Sequence, residues 1–352
     1  MPELPRPAFR RKDNGTVDPV AATDRWFLSH GLAYFVPEQR QGAREALRLR
    51  RTFPFLVLAF VVAGAAGATL AYLTRQVAAA PALLISAGLL AALWYALTAL
   101  RARPIITWAL TRGFAGLRTL LPMMSRALPL LLLFVTFLFI NAEVWEMSAS
   151  LRWGTMWLTC LLFVLLSVGF LLVRLPEEVD TVDDVVDAEF LRRGSRGTPL
   201  ESSCRSLLEA DEVDLVGYAQ VRGYERANLV AVLVIIQAVQ VFLLAMTVFF
   251  FFLIFGLLVM NVGTQENWTG LDPSQFSEHA QVFGAFSVPL IKVSLFLSAF
   301  SALHLAVSSV TDETYRNQFF GAVLREMQQA VALRAIYRAV RERREPQTDS
   351  PS

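Results

Sequence analysis

The chain has 352 residues, 55% of them hydrophobic, with 26 phenylalanines and a mean hydropathy of +0.47, which places it among membrane proteins rather than ordinary soluble domains. A net charge of +2 gives no basis for a nucleic-acid partner, and none is expected. Cys160, in an apolar run, and Cys204, in a polar one, make neither a disulfide framework nor a metal-ligand spacing. No HExxH, GxSxG or P-loop pattern occurs, so neither a cofactor nor a catalytic set is expected.

The expectation is an all-α polytopic membrane protein with six transmembrane helices and further interfacial and cytosolic amphipathic helices. Residues 1–53 form a cytosolic segment, polar and basic, without the apolar run of a cleavable signal. Asp24–Val36 is its densest part, with Trp26, Phe27, Leu32, Tyr34 and Phe35, and should lie on the bilayer or against cytosolic loops, His30 included. Pro37 then begins a helix that leads to the membrane.

Residues 54–174 hold four spans. Pro54–Thr74 and Val77–Leu100 are linked only by Arg75 and Gln76, which forces a hairpin. Small residues four apart, such as Ala63 and Gly67 or Gly88 and Ala92, let two backbones approach closely in lipid. Between 104 and 121, apolar residues cover about half a helical wheel, as an interfacial helix requires, with Pro104 at its start and Pro122 ending it. Ala127–Val144 and Leu151–Val173 are the third and fourth spans, with Trp145, Trp153 and Trp157 as an aromatic belt.

Residues 175–227 read as a cytosolic helical insertion. Asp180, Asp183, Asp184 and Asp187 would share one face of a helix there, a solvated stripe before a cation site. They could also meet the basic residues Arg338, Arg341, Arg343 and Arg344 on the same side of the membrane. Leu207–Arg226 reads as helix running into the fifth span.

Residues 228–309 hold two spans. The first, Leu229–Met260, is longer than the ~20 residues a bilayer needs. Counting back ~20 residues from Met260 puts the membrane boundary near Val241, with Gln237 and Gln240 solvated at the interface. The apolar surplus Leu229–Ala238 should then be covered, the best candidate being the C-terminal helix. Phe286–Ser309 is the sixth span. Residues 310–352 form that amphipathic C-terminal helix, with Phe319, Phe320, Val323, Leu324, Met327 and Val331 on one face, and a tail disordered in composition.

Among 32 basic residues only Arg75, Arg152 and Lys292 fall outside the segments assigned to one side, so the positive-inside rule puts both termini in the cytoplasm. Lys292, inside a span, is a functional candidate by default. Its first reading is a structural pair with Glu143, near Asn141 at the end of the third helix. The other reading is an ion or proton path. His304, twelve residues on and flanked by serines, reads as a packing residue.

Asp24–Val36 (DRWFLSHGLAYFV), Ala127–Trp145 (ALPLLLLFVTFLFINAEVW) and Thr311–Phe320 (TDETYRNQFF) resemble segments of multi-pass integral membrane proteins of actinobacteria. The resemblance implies a bacterial cytoplasmic membrane and no activity. The partners expected are membrane lipids and, through the C-terminal helix, another protein or a second copy. The function expected is that of a non-enzymatic scaffold or regulatory membrane protein. The alternative is a small-solute or ion transporter with Lys292 in the pathway.

Overall fold

The computed structural model describes residues 18–46, 49–98, 101–183, 187–210, 218, 221–271, 281–282, 286–311 and 313–344. Within helices and strands, the side chains of 46, 49–52, 56, 113, 115–131, 174–183, 210, 281–282, 309–311 and 313–325 are outside that description. In chain order the helices are α1 (Pro19–Ser29), α2 (Pro37–Ala46), α3 (Leu49–Thr74), α4 (Ala79–Thr98), α5 (Arg103–Phe139), α6 (Ala142–Ser150) and α7 (Trp153–Asp183). They continue with α8 (Ala188–Ser195), α9 (Glu201–Ala210), α10 (Tyr224–Val259), α11 (Val262–Thr269), α12 (Val288–Thr311) and α13 (Glu313–Arg344). A two-residue antiparallel pair, Gln281–Val282 with Phe286–Ser287, leads into α12.

Among the described residues, five helices are long and apolar enough to cross a membrane: α3, α4, α7, α10 and α12. A sixth is reached if the end of α5 and α6, bent by 72° at their break, are taken as one span. This is the architecture of an all-α polytopic protein.

The interfacial helix and the third span expected as separate elements are one helix, α5, which runs through Pro122 and Pro129 without a break. Proline is tolerated inside a bundle helix because neighbours can satisfy the freed carbonyl. The break falls instead at Ile140–Asn141. Asn141 leaves helical geometry and accepts the Glu143 N–H at 2.8 Å, capping α6, a role that suits asparagine better than a helix interior. Glu143 therefore begins a new helix and does not end the third span. Trp145 is fully buried, its indole N–H donating to Phe139 O at 2.7 Å, and is no belt residue. Trp153 and Trp157, each 49% exposed, keep the belt role open to them.

Contacts sort the helix ends into two sets. At one end the α3–α4 turn is held by Arg152, which donates to Arg75 O (2.9 Å) and Thr74 O (3.0 Å), and by Gly154 N–H to Gln76 Oε1 (3.1 Å). At the same end Phe139 stacks on Phe252 (4.8 Å, 11°) and meets Trp145, which in turn meets Trp268 of α11. A Cβ on Gly256 would come 2.3 Å from Leu290 Cδ1, so α10 and α12 nearly touch there. Between the ends, α5, α7, α10 and α12 pack on one another, while α3 and α4 form a peripheral, largely exposed hairpin. Its close approach is real at one pair: Ala63 is buried, and a Cβ on Gly67 would meet Ala80 O at 2.9 Å. Gly64 and Gly88 face open space.

The opposite end carries a helical domain built around α13. Ala332, Leu333, Ala335 and Ile336 are completely buried, so α13 is covered on all sides there, and Met327 and Val331 of the expected apolar face are buried too. Helix α8 lies across it so closely that a Cβ on Gly194 would sit 2.4 Å from the Ala332 methyl. Phe27 of α1 packs edge-on against Tyr337 (5.5 Å).

Candidate functional site

The site grows from the first turns of α10, where the membrane bundle becomes the terminal domain. Gly223, with φ +62°, turns the chain into α10, so the helix expected to run continuously from Leu207 starts afresh at Tyr224. Glu225 in the first turn and Asn228 three residues on share a face, and both are buried (5% and 0% exposed).

Glu225 binds two guanidiniums from opposite ends of the sequence. Arg334 of α13 donates from Nε to Oε2 at 2.7 Å, and Arg40 of α2 pairs with Oε1. Arg334 is itself 3% exposed and uses Nη1 to reach Tyr218 O at 2.7 Å. Burial draws its pKa down and the Glu225 carboxylate opposes that. Asn228 uses both ends of its amide: Oδ1 accepts from Tyr34 N–H (2.8 Å), and Nδ2 donates to Gly31 O (2.9 Å). Gly31 has φ +72°, and a Cβ there would press on Trp108 at 3.1 Å, so only glycine fits that turn. The aromatic segment expected against the bilayer or the loops thus locks onto the surplus turns of α10.

Those surplus turns are covered as expected. From Asn228 to Val241 no residue of α10 is exposed, and lipid-type exposure begins at Phe242 (59%). Over its length α10 packs on α5, α7 and α12 and on the 3-10 turn Ala33–Phe35, and α13 reaches it through the Arg334 ion pair. The side chains of Phe319, Phe320, Val323 and Leu324, the face of the C-terminal helix expected as the cover, lie outside the described residues.

Helix α1 adds a second clasp on α13. Tyr337 OH donates to Asp24 Oδ1 at 2.7 Å, Arg344 pairs with Asp18 (2.6 Å) and Arg341 with Glu38 (3.8 Å). Burial pushes the Asp24 carboxyl up, with the Tyr337 hydrogen bond opposing, and burial with the neighbouring Asp24 pushes the Tyr337 hydroxyl up. Burial also acts to raise Asp18, but Arg344 and the Val20 N–H together hold it below its ordinary value. Of the basic residues expected to meet the aspartate stripe, Arg344 meets Asp18, Arg341 meets Glu38 and Arg338 lies over the Tyr218 ring.

The stripe itself is divided. Asp180 and Asp183 fall in the last turns of α7 with side chains outside the described residues, and Asp184 lies outside them altogether. Asp187 is exposed and caps α8, accepting from Phe190 N–H at 2.6 Å, so it shares no helix with the others. Among the described residues no metal-binding cluster occurs.

Lys292 does not meet Glu143, which is exposed. Its ammonium donates to Ala149 O (2.9 Å) and Leu151 O (2.6 Å) and lies 5.6 Å from the Trp153 ring. It caps the C-terminus of α6, where unpaired carbonyls and the helix dipole both favour a cation. His304 is exposed, beside Ser308 Oγ (3.4 Å) and Phe134, and Ser298 and Ser301 turn back to their own helix carbonyls instead of reaching it. Gln237 and Gln240 are buried, 2% and 8% exposed, and not solvated at an interface. His30 stacks on Trp26 at 3.9 Å, within the packing expected for it.

Glu225, Asn228, Arg40 and Arg334 escaped the sequence reading. One signal was available: Arg334 is the only charged residue between Met327 and Tyr337. A lone charge in an apolar helical stretch implies a buried partner. Comparison with protein-family models, curated proteins and solved structures gives no match for this chain.

Proposed function

We propose that the chain is a non-enzymatic scaffold or regulatory protein of a bacterial cytoplasmic membrane, with six spans, both termini cytoplasmic, and a helical cytosolic domain that binds protein partners. The observation that carries this reading is the Glu225 junction. Two chain termini and the longest membrane helix are tied by buried charge, so a force or a partner on the domain is transmitted to the bundle. Lys292 has both its hydrogen bonds committed to α6, which weighs against the transporter alternative. The charge distribution supports the orientation. Arg75 and Arg152 sit together at the end opposite the domain, where Arg152 serves as a cap for α3.

The test places photo-crosslinking residues at exposed domain positions Arg192, Arg196 and Arg205, and at Leu90 and Val164 on the lipid-exposed bundle, in native membranes. The proposal expects one recurrent protein adduct at the domain positions. Lipid adducts alone at all five would overturn it. Reporter fusions after Gln76 and Gly270 should appear outside and one after Gly197 inside. A cytoplasmic signal at Gln76 would reverse the orientation.

A further inference from the structure

We propose that the amides of Gln237 and Gln240 hold a buried water molecule between them, a hydrated step where α10 passes from the domain into the apolar bundle. The two residues are 2% and 8% exposed, and Gln237 Nε2 and Gln240 Oε1 have no hydrogen-bond partner within the protein. Three residues apart, they lie on one face of the helix. One is an unmet donor and the other an unmet acceptor, which is what a single water satisfies: its oxygen accepts from Nε2, and one hydrogen goes to Oε1.

Hydroxyls elsewhere on α10 and α12 behave differently. Thr247, exposed, and Ser298 and Ser301, buried, return their protons to carbonyls of their own helix. A glutamine amide stands too far out on its stem for that. Ser148 and Ser294 are also unpartnered, on α6 and α12. Around the amides α10 presents Leu233, Val241 and Leu244, all buried and unable to bond. Leaving an amide unmet in such surroundings is costly, so a partner must come from outside the side chains.

The test is hydroxyl-radical labelling by radiolysis of the full-length protein in lipid nanodiscs, read residue by residue by mass spectrometry. A bound water generates radicals in place, so Leu233, Val241 and Leu244 should oxidise severalfold faster than Leu297 and Val248, which are equally buried away from the amides. In Gln237→Leu/Gln240→Leu the excess should vanish. Equal rates at Leu233 and Leu297 in the native chain would overturn the proposal, leaving the two amides to turn and bond each other. So would an excess that survives the double substitution. The native comparison stands even if the variant fails to fold.

Discussion

Lys292 and Ala149 are joined by a hydrogen bond of 2.9 Å from the ammonium to the main-chain carbonyl, with Leu151 O at 2.6 Å completing the clasp. Lys292, a charge within α12, is therefore a C-terminal cap for the short helix α6. Arg152 repeats the device on α3. Lys292 and Arg152 are both tied to helix ends.

Lys292→Met should strand two carbonyls and destabilise the protein by about 1–3 kcal/mol. Glu143→Gln, an exposed change, should stay within about 0.5 kcal/mol. Thermal unfolding in detergent with the double variant gives the check. Additive effects are expected, whereas coupling between 292 and 143 would restore an ion pair that the geometry does not contain.

At the α8–α13 crossing, Gly194→Ala would drive a methyl to 2.4 Å from that of Ala332. Neither methyl can rotate away, so the helices must separate, at about 1–3 kcal/mol. Ala332→Gly in the same chain should recover most of the loss. A Gly194→Ala protein of unchanged melting temperature would show that the crossing is looser than described.

The clasp of α1 on α13 predicts a pH dependence. Burial raises the folded-state pKa of Asp24 above 3.8, so the folded protein holds that proton more tightly than the unfolded chain. The stabilisation is complete below 3.8 and is lost as pH rises through the folded-state value. Asp24→Asn keeps an oxygen for Tyr337 OH without the charge. Its melting temperature should equal or exceed the native one at neutral pH, and the gap should close on acidification. A variant that is less stable at neutral pH would mean that the charge itself holds Tyr337.

Much of the membrane part was legible because apolar run length is a one-dimensional quantity. Five of the six runs counted as spans are helices long and apolar enough to cross a membrane among the described residues. What escaped depends on where a helix stops. Asn141 and Asp187 both look like helix residues on a wheel, yet each caps a new helix and so breaks the pattern assigned to it. Pro122 looks like a terminator, and α5 passes through it. The covering of Gln237 and Gln240 was hidden because periodicity shows which face of a helix is apolar and not how many neighbours surround it. The Glu225 junction joins residues 40, 225 and 334, and no local pattern reports a contact across that separation.

The central claim is that domain and bundle are one body, joined at Glu225 and Arg334. A double-mutant cycle on thermal unfolding with Glu225→Gln and Arg334→Met measures it directly. Removing either partner leaves an uncompensated buried charge or polar group and should cost about 3–5 kcal/mol, while the double variant should lose less than the sum of the two. Strictly additive losses, or single variants as stable as the native chain, would contradict the account.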